Sequence, residues 1–275
     1  MKPEEDRLRR VEGRHNALLK ELRKAFAKGE LTSSGECALE GFRIVEEAVR
    51  SGLRLRAVFF SESAKPRAGK LLPQIGSHVE TLLLPDKLFA SAVPSQAPQG
   101  VAALTHVREY TIEDVLENSS NGILLVVAGV QDPGNLGTIL RSAEAFGAKA
   151  VLLGEGTVSL YNSKVVRASA GSVFRVPATT VEIPALIGQL RERGVRTIGA
   201  SSHKGIPLPE ADLTGTAAIF VGNEGAGIHK RLLGEMEELV TIPHSPRVES
   251  LNAGVAASIV FYEAARQRRR MENPS

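Results

Sequence analysis

The sequence predicts an α/β protein. Its C-terminal half is built on a mostly parallel sheet with helices on both faces, and a smaller α/β unit precedes it. Three observations carry this. Residues 123–130 are a nearly continuous apolar run, the pattern of a strand buried on both faces of a parallel sheet. From there on, strand-length apolar segments alternate with stretches of helical periodicity. Residues 37–107 repeat that alternation on a smaller scale, before a polar stretch at 108–121 that ends in Asn118-Ser-Ser-Asn-Gly122 and reads as a linker.

Taken in order, residues 7–27 form a charged amphipathic stretch with Leu8, Val11, Leu18, Leu19, Leu22 and Phe26, enough for one or two helices. A helix is expected over 38–51, with Leu39, Phe42, Val45, Ala48 and Val49 on one face. Strands are expected at 56–60, 79–83 and 101–105, with a breaker-dense loop at Pro94-Ser-Gln-Ala-Pro-Gln-Gly100. Further strands follow at 123–130, 150–153, 173–176, 196–200, 218–221 and 238–242. The helices between them are expected at 136–146, stopped by Gly147, and at 163–170, 183–193, 229–236 and 251–269. The chain thus divides into a basic helical extension (1–28), a small α/β unit (29–107), a linker (108–121) and a larger α/β domain (122–275).

Composition narrows the function classes. A chain of 275 residues is long enough for a sizeable core. No stretch approaches a membrane span, and no apolar segment follows the charged N-terminus as a signal peptide requires, so a cytoplasmic protein is expected, with no membrane partner. The single Cys37 rules out an internal disulfide and cannot build a zinc site alone. Net charge is only +3, yet residues 1–28 carry nine Lys/Arg against five Asp/Glu, and residues 266–275 carry four Arg against one Glu. Two basic ends on a mildly acidic body fit an RNA contact. Solvated helix ends fit the same charges, and Arg268-Arg-Arg270 suits a helix C-terminus.

Three segments stand where a strand gives way to a turn or helix, the position at which α/β sheets bind ligands. The first is Asn135-Leu-Gly-Thr-Ile-Leu-Arg141-Ser, the second Val221-Gly-Asn-Glu-Gly-Ala-Gly227, the third Ile242-Pro-His-Ser-Pro-Arg-Val-Glu-Ser250-Leu-Asn252. In the first, Asn135 suits the N-cap of the following helix. Leu136, Leu140 and Ala143 share the sheet-facing side, so Arg141 projects away from it beside Thr138, Ser142 and Ala145. Spacing alone leaves Arg141 either facing a substrate or paired on the surface with Glu144 or a neighbour. In the second, Gly222, Gly225 and Gly227 permit close backbone approach to a ligand, but their order is not the dinucleotide fingerprint. Glu224 suits a helix N-terminus or a partner for Arg141. In the third, Ser250 suits an N-cap, and backbone amides there and after Ile242 suit the edge of an adenine ring. His244 reads as a solvated loop residue or a substrate contact.

In this order the three segments resemble the signature motifs of the SpoU (TrmH-type) family of RNA 2′-O-ribose methyltransferases. The resemblance implies a trefoil knot in the C-terminal domain, S-adenosylmethionine bound at the knot, and a homodimer formed through the same region. It implies that Arg141 is the essential catalytic residue, with Asn135, Glu224, Ser250 and Asn252 completing the active site. Gly222, Ile242 and Leu251 match the cofactor-binding positions. Two departures are visible: many relatives have Met at His244, and Asn-Val-Ser where this chain has Asn252-Ala-Gly254. Residues 160–171 are similar to a segment that relatives place near the active site. There Lys164 and Arg167, at i and i+3, suit either RNA phosphates or a solvated face. Ala38-Leu-Glu-Gly-Phe-Arg-Ile-Val-Glu-Glu-Ala-Val49 resembles the family's substrate-binding domain, which favours ribosomal RNA over transfer RNA as the partner.

The implied chemistry uses a sulfonium methyl that is already activated, so the protein must align it with the 2′-oxygen and assist loss of that proton. Arg141 is a poor base, since guanidinium stays protonated and has no free acceptor. It is better suited to orient the ribose or a phosphate and stabilise the developing alkoxide, with an RNA phosphate or water taking the proton. Two other classes are open to the sequence. A nicotinamide-dependent oxidoreductase wants a Gly fingerprint after the first strand, which Gly134-Asn-Leu-Gly137 does not supply. A non-catalytic RNA-binding protein has no use for the Asn-Arg-Glu-Ser-Asn set that this chain keeps whole.

Overall fold

The computed structural model describes residues 7–223, 225 and 227–272. The chain forms two compact units, residues 1–108 with 159–174, and residues 109–158 with 175–275.

The first unit is built on a five-stranded mixed sheet. Its elements are β1 (Arg9–Arg10), α1 (Ala17–Lys28), β2 (Glu36–Glu40), α2 (Phe42–Arg50), β3 (Leu55–Ser61), α3 (Lys65–Leu71), β4 (Glu80–Leu84), α4 (Asp86–Ala90) and β5 (Val101–His106). The strand order is β1-β4-β3-β5-β2. Strand alternation divides its buried residues between two faces. Ala57, Phe59, Leu82, Leu84, Ala102 and Leu104 pack with Leu19 and Leu22 of α1 and Phe89 of α4. Cys37, Leu39, Val58, Phe60 and Ala103 pack on the other side, with Val45 of α2 and Leu71 of α3. Helix α1 is set by local signals at both ends: the Asn16 side chain accepts from the Leu19 amide at 3.2 Å, and Gly29 takes the left-handed stop at φ 63°.

Two sequence expectations are corrected here. Of the helical extension expected over 1–28, residues 1–6 lie outside the described residues and the rest is not separate: Arg9–Arg10 is an edge strand, and the fully buried Leu19 and Leu22 make α1 part of the core. The helix expected over 38–51 begins only at Phe42, because 36–40 is a fully buried strand paired antiparallel to β5. Its helical periodicity loses to that pairing. The pairing buries Glu36 completely, and Arg56 Nη1 lies 2.8 Å from both of its carboxylate oxygens while Thr32 Oγ1 donates to one of them at 2.8 Å. A buried charge is tolerated only with such partners.

The second unit holds α5 (Ile112–Glu117), β6 (Ile123–Ala128), α6 (Pro133–Ala145) and β7 (Ala150–Leu153). The chain then contributes α7 (Ser163–Ala168) to the first unit, where Val166 joins the core of the α2 face. It continues with β8 (Ala178–Thr180), α8 (Ile183–Glu192), β9 (Arg196–Ala200), β10 (Ile206–Pro207), β11 (Ala217–Gly222), α9 (Lys230–Leu233), β12 (Glu238–Thr241) and α10 (Ala253–Glu272). The seven-stranded sheet has the order β10-β12-β9-β11-β6-β7-β8, and all its pairings are parallel. Leu124, Val126, Leu152, Ala218 and Phe220 pack under α5 and α8 on one face. Leu125, Val127, Val151 and Ile219, which alternation sends to the other face, are equally buried, and α10 lies against β11. The α/β architecture expected of this half is therefore present.

Three details differ from the sequence reading. The linker contains α5, started by a capping box in which Thr111 and Asp114 each accept from the other's amide. No strand forms at 173–176: Ser172–Phe174 is a single 3₁₀ turn and the strand comes later, at Ala178–Thr180. Arg268 is not a freely solvated charge, since its guanidinium donates to the carbonyls of Asn121, Leu213 and Gly215.

Candidate active site

The three motif segments converge at the C-terminal ends of β6, β9, β11 and β12. After β6, Asp132 caps α6 by accepting from the Asn135 amide at 2.8 Å, and Pro133 fills the first helical position. Asn135 is thus not the N-cap expected from sequence. It is the third helical residue, and it is buried. Asp-Pro-Gly before an apolar periodic run is the signal that identifies Asp132.

After β11 the chain makes a tight turn. The Asn223 and Gly227 main chains exchange two hydrogen bonds of 3.1 and 2.9 Å, and Asn223 Oδ1 accepts from the Gly225 amide at 2.8 Å. Asn223 Nδ2 donates to the Gly129 carbonyl at 2.8 Å, joining this turn to the loop after β6. A Cβ on Gly222 would lie 2.1 Å from the Gly227 carbonyl carbon and 2.2 Å from the Ile228 nitrogen. The residue at 222 must therefore be glycine for the turn to close on itself, a reason that precedes any ligand. Glu224 lies outside the described residues.

After β12, Ile242 and His244 precede the loop into α10, and His244 Nδ1 lies 2.7 Å from the Ile242 carbonyl oxygen. The cap of α10 is Asn252, whose Oδ1 accepts from the Val255 amide at 3.2 Å, so Ser250, exposed two residues earlier, does not cap the helix. Helix α10 runs along α6, with Ser142 and Ser258 hydroxyls 2.6 Å apart and the Phe146 and Tyr262 rings edge to face. Gly254 permits the approach: a Cβ there would stand 3.2 Å from Thr138 Cβ and from Asn252 Oδ1.

Arg141 lies one turn beyond Thr138 on α6 and is exposed. Its side chain has no ion pair or hydrogen bond among the described residues, and Glu144, the surface partner the sequence offered, is bound by Arg175. Arg141 is therefore not paired with Glu144.

A cavity of about 400 Å³ opens at this edge of the sheet. Gly222, Ile242 and Leu251 all line it, with Val221, Val240 and Ala256 as apolar walls. The amides of Ile242 and Leu251 have no hydrogen-bond partner among the described residues. Unpaired backbone donors beside apolar walls suit an adenine ring, and the volume lies within the roughly 300–1,000 Å³ of ordinary ligand pockets. The residues present therefore fit S-adenosylmethionine. Sequence reasoning missed Asn223, although an Asn two residues before a Gly is the signal of such a turn.

Lys164 and Arg167 belong to the first unit. Arg167 Nη1 donates to Ser95 Oγ at 2.7 Å, and Ser95 Oγ donates to Glu40 at 2.9 Å. Burial raises the Glu40 carboxyl above its usual range, partly offset by the Ser95 hydrogen bond and the Arg167 charge. Arg167 thus has a structural task, while Lys164 is exposed.

Comparison with known proteins gives a consistent result. The profile of the SpoU rRNA methylase family matches residues 122–262, and that of the MRM3-like substrate binding domain matches residues 16–103. The chain is 30% identical over 255 residues to the 23S rRNA (guanosine(2553)-2'-O)-methyltransferase RlmP of Bacillus subtilis, covering 93% of this chain and 98% of the relative. Among solved structures, an AdoMet-bound rRNA methyltransferase from Sinorhizobium meliloti superposes with a TM-score of 0.78 at 25% identity, covering 94% of this chain and 98% of that one. A TrmH-family RNA methyltransferase from Porphyromonas gingivalis gives 0.74 at 31% identity, covering 93% and 98%.

Proposed function

The chain belongs to the SpoU rRNA methylase family, and on that premise we propose that it transfers a methyl group from S-adenosylmethionine to a ribose 2′-hydroxyl of structured RNA, with ribosomal RNA as its substrate. The observation that carries this reading is one cavity lined by the second and third motif loops, with Arg141, unpaired among the described residues, on the helix that follows the neighbouring strand β6. The activity of the Bacillus subtilis relative favours ribosomal over transfer RNA.

When bound, S-adenosylmethionine supplies a sulfonium-activated methyl group. The protein's part is geometry and electrostatics. Gly222, Ile242 and Leu251 hold the adenosine end by backbone. Arg141 meets the ribose or an adjoining phosphate and stabilises negative charge as it develops on the 2′-oxygen. The proton passes to an RNA phosphate or to water, because the guanidinium has no acceptor site. Asn135, Glu224, Ser250 and Asn252 complete the active site in this reading, and Lys164 contacts RNA from the first unit.

The reading extends to the family's trefoil knot, to a cytoplasmic location and to a homodimer. Supporting the dimer, Val255 and Tyr262 are 46% and 54% exposed at i and i+7 of α10, so two large apolar side chains share one open helix face. Among the described residues no helix is long and apolar enough to cross a membrane. The decisive experiment is methyl transfer from labelled S-adenosylmethionine to ribosomal and transfer RNA, followed by nuclease digestion and mass spectrometry. A 2′-O-methyl nucleoside from ribosomal RNA is expected; methylation on a base, or on transfer RNA alone, overturns the proposal.

A further inference from the structure

In the first unit, away from the cofactor cavity, Arg67 of α3 lies over the Phe42 ring at the start of α2, its guanidinium carbon 3.9 Å from the ring centroid. Phe42 is buried and Arg67 is exposed. The guanidinium makes no hydrogen bond or ion pair among the described residues. The ring therefore gives it a seat while its N–H donors stay open.

Two further open groups stand beside it. Arg43, next to Phe42 on α2, is exposed and unpaired among the described residues. Gln99 is exposed, and its amide has no partner among the described residues. Its Oε1 lies close to the Gly41 backbone, since a Cβ on Gly41 would stand 3.3 Å from it. Acids of the turn before α3 and of α4 are engaged elsewhere: Arg10 pairs with Glu62 at 2.6 Å, and the Ser63 amide and hydroxyl donate to Asp86 at 3.0 and 2.8 Å.

The loop that carries Gln99 is tied at both ends. The Gly41 amide donates to the Val101 carbonyl at 3.0 Å, and the Ser61 amide donates to the Gly100 carbonyl at 2.9 Å. Gly100, at φ 84°, sits so close to the turn before α3 that a Cβ would stand 2.5 Å from Ala64 Cβ. At the start of the loop, Ser95 is held between Arg167 and Glu40 of β2. A platform ordered in advance adds little entropic cost when a ligand arrives.

We propose that Arg67, seated on Phe42, is a stacking shelf for an unpaired RNA base, with the Gln99 amide reading the base edge and Arg43 taking the adjoining phosphate. The inference rests on the RNA-substrate reading above. Unpaired bases stack on guanidinium planes, and their edges are read by groups that both donate and accept. A paired duplex hides its base faces and offers the shelf only phosphate. A protein carboxylate would satisfy the N–H edge of Arg67 but has no need of the ring behind it or of an amide beside it.

The test is RNA binding to the full-length protein, read by fluorescence anisotropy. The probes are a short oligoadenylate, a fully paired RNA duplex of the same length, and ribosomal RNA. Arg67→Lys keeps the charge and loses the plane. Both Arg67→Lys and Arg67→Ala should bind oligoadenylate about tenfold more weakly, the scale of one stacked base. Arg67→Lys should bind the duplex within about twofold of wild type and keep the wild-type salt slope. Gln99→Ala should weaken oligoadenylate and spare the duplex. If Arg67→Lys binds oligoadenylate as wild type does, Arg67 acts as a charge and the stacking assignment fails. Equal losses on oligoadenylate and duplex make Arg67 a phosphate contact and overturn the proposal as well. If wild type binds ribosomal RNA but not oligoadenylate, the shelf fails and the RNA reading stands; if it binds none of the three, both fail.

Discussion

Asn223 donates its side-chain amide to the Gly129 carbonyl at 2.8 Å, so the loop after β11 and the loop after β6 are one mechanical unit. The same side chain turns its oxygen to the Gly225 amide. One residue therefore fixes both the shape of the glycine turn and its distance from α6, the helix that bears Arg141. The amide extends past the strand ends the pairing of β11 with β6, which runs as far as Gly222 and Ala128.

Asn223→Ala removes the side-chain bonds to Gly129 and Gly225. At about 0.5–1.5 kcal/mol net for each, the variant should lose about 1–3 kcal/mol of stability and bind S-adenosylmethionine about tenfold more weakly. Thermal unfolding and calorimetry read the two effects separately. Wild-type affinity in a measurably destabilised protein would mean that the turn does not depend on the amide.

Arg141→Ala should behave in the opposite way. Its side chain is exposed and has no partner among the described residues, so stability should stay within about 0.5 kcal/mol and cofactor affinity should be unchanged. Methyl transfer in a single-turnover assay should be abolished. Substantial residual turnover would remove Arg141 from the reaction.

How far the sequence could be read follows from these residues. The buried strands of the parallel sheet were legible because burial on both faces leaves continuous apolar runs, as at Ile123–Ala128. Strand β2 was not, because Glu36 and Glu40 bracket it and its apolar positions continue a helical pattern into α2; partners distant in sequence, Arg56 and β5, decide the matter. The three motif loops were found, but their caps were not. Asp132 and Asn252 cap where Asn135 and Ser250 were expected, since several adjacent residues have capping chemistry and only the backbone path selects among them. The wall that residues 200–203 lend to the cavity was not legible, because it brings them to residues some forty positions later.

Gly222→Ala should destroy the site for a reason internal to the protein. The new Cβ would meet the Gly227–Ile228 backbone at about 2 Å, and neither atom belongs to a side chain that can swing away. Cofactor binding should be abolished and the melting temperature lowered. Gly188→Ala is the control: it lies exposed within α8 with nothing within 4 Å of the added atom, and it should gain about 0.5–1 kcal/mol.

Burial pushes the Cys37 thiol up to about 12 from an ordinary value of 9.0. It should resist thiol reagents at pH 8 in the native protein and react on unfolding. The folded state holds the proton more tightly, so this group's contribution is fully present below about pH 9 and is lost as pH rises toward 12. Denaturant titrations at pH 7 and pH 10 should show a fall in stability that is smaller in Cys37→Ala. An equal fall in both proteins would assign the pH dependence to other groups.

The two-unit organisation makes a test of how labour is divided. Residues 109–158 and 175–275 form one compact unit with the cofactor cavity inside it. A fragment 109–275 should therefore fold and bind S-adenosylmethionine, yet it also carries residues 159–174, whose Val166, Tyr161, Val173 and Phe174 pack in the first unit's core. With that core removed, four apolar side chains lose their cover, and the fragment should aggregate unless Val166 and Phe174 are made polar. RNA affinity of the solubilised fragment should drop steeply, because it lacks residues 1–108 and their basic N-terminal segment. Each RNA phosphate that the fragment no longer neutralises should also flatten the salt dependence by a slope of roughly 0.7–0.9 in log–log terms. Binding measured across a salt series for both proteins gives the outcome. Equal affinity and equal slope would show that the first unit does not engage RNA, and would leave the second unit as the whole of the RNA-binding surface.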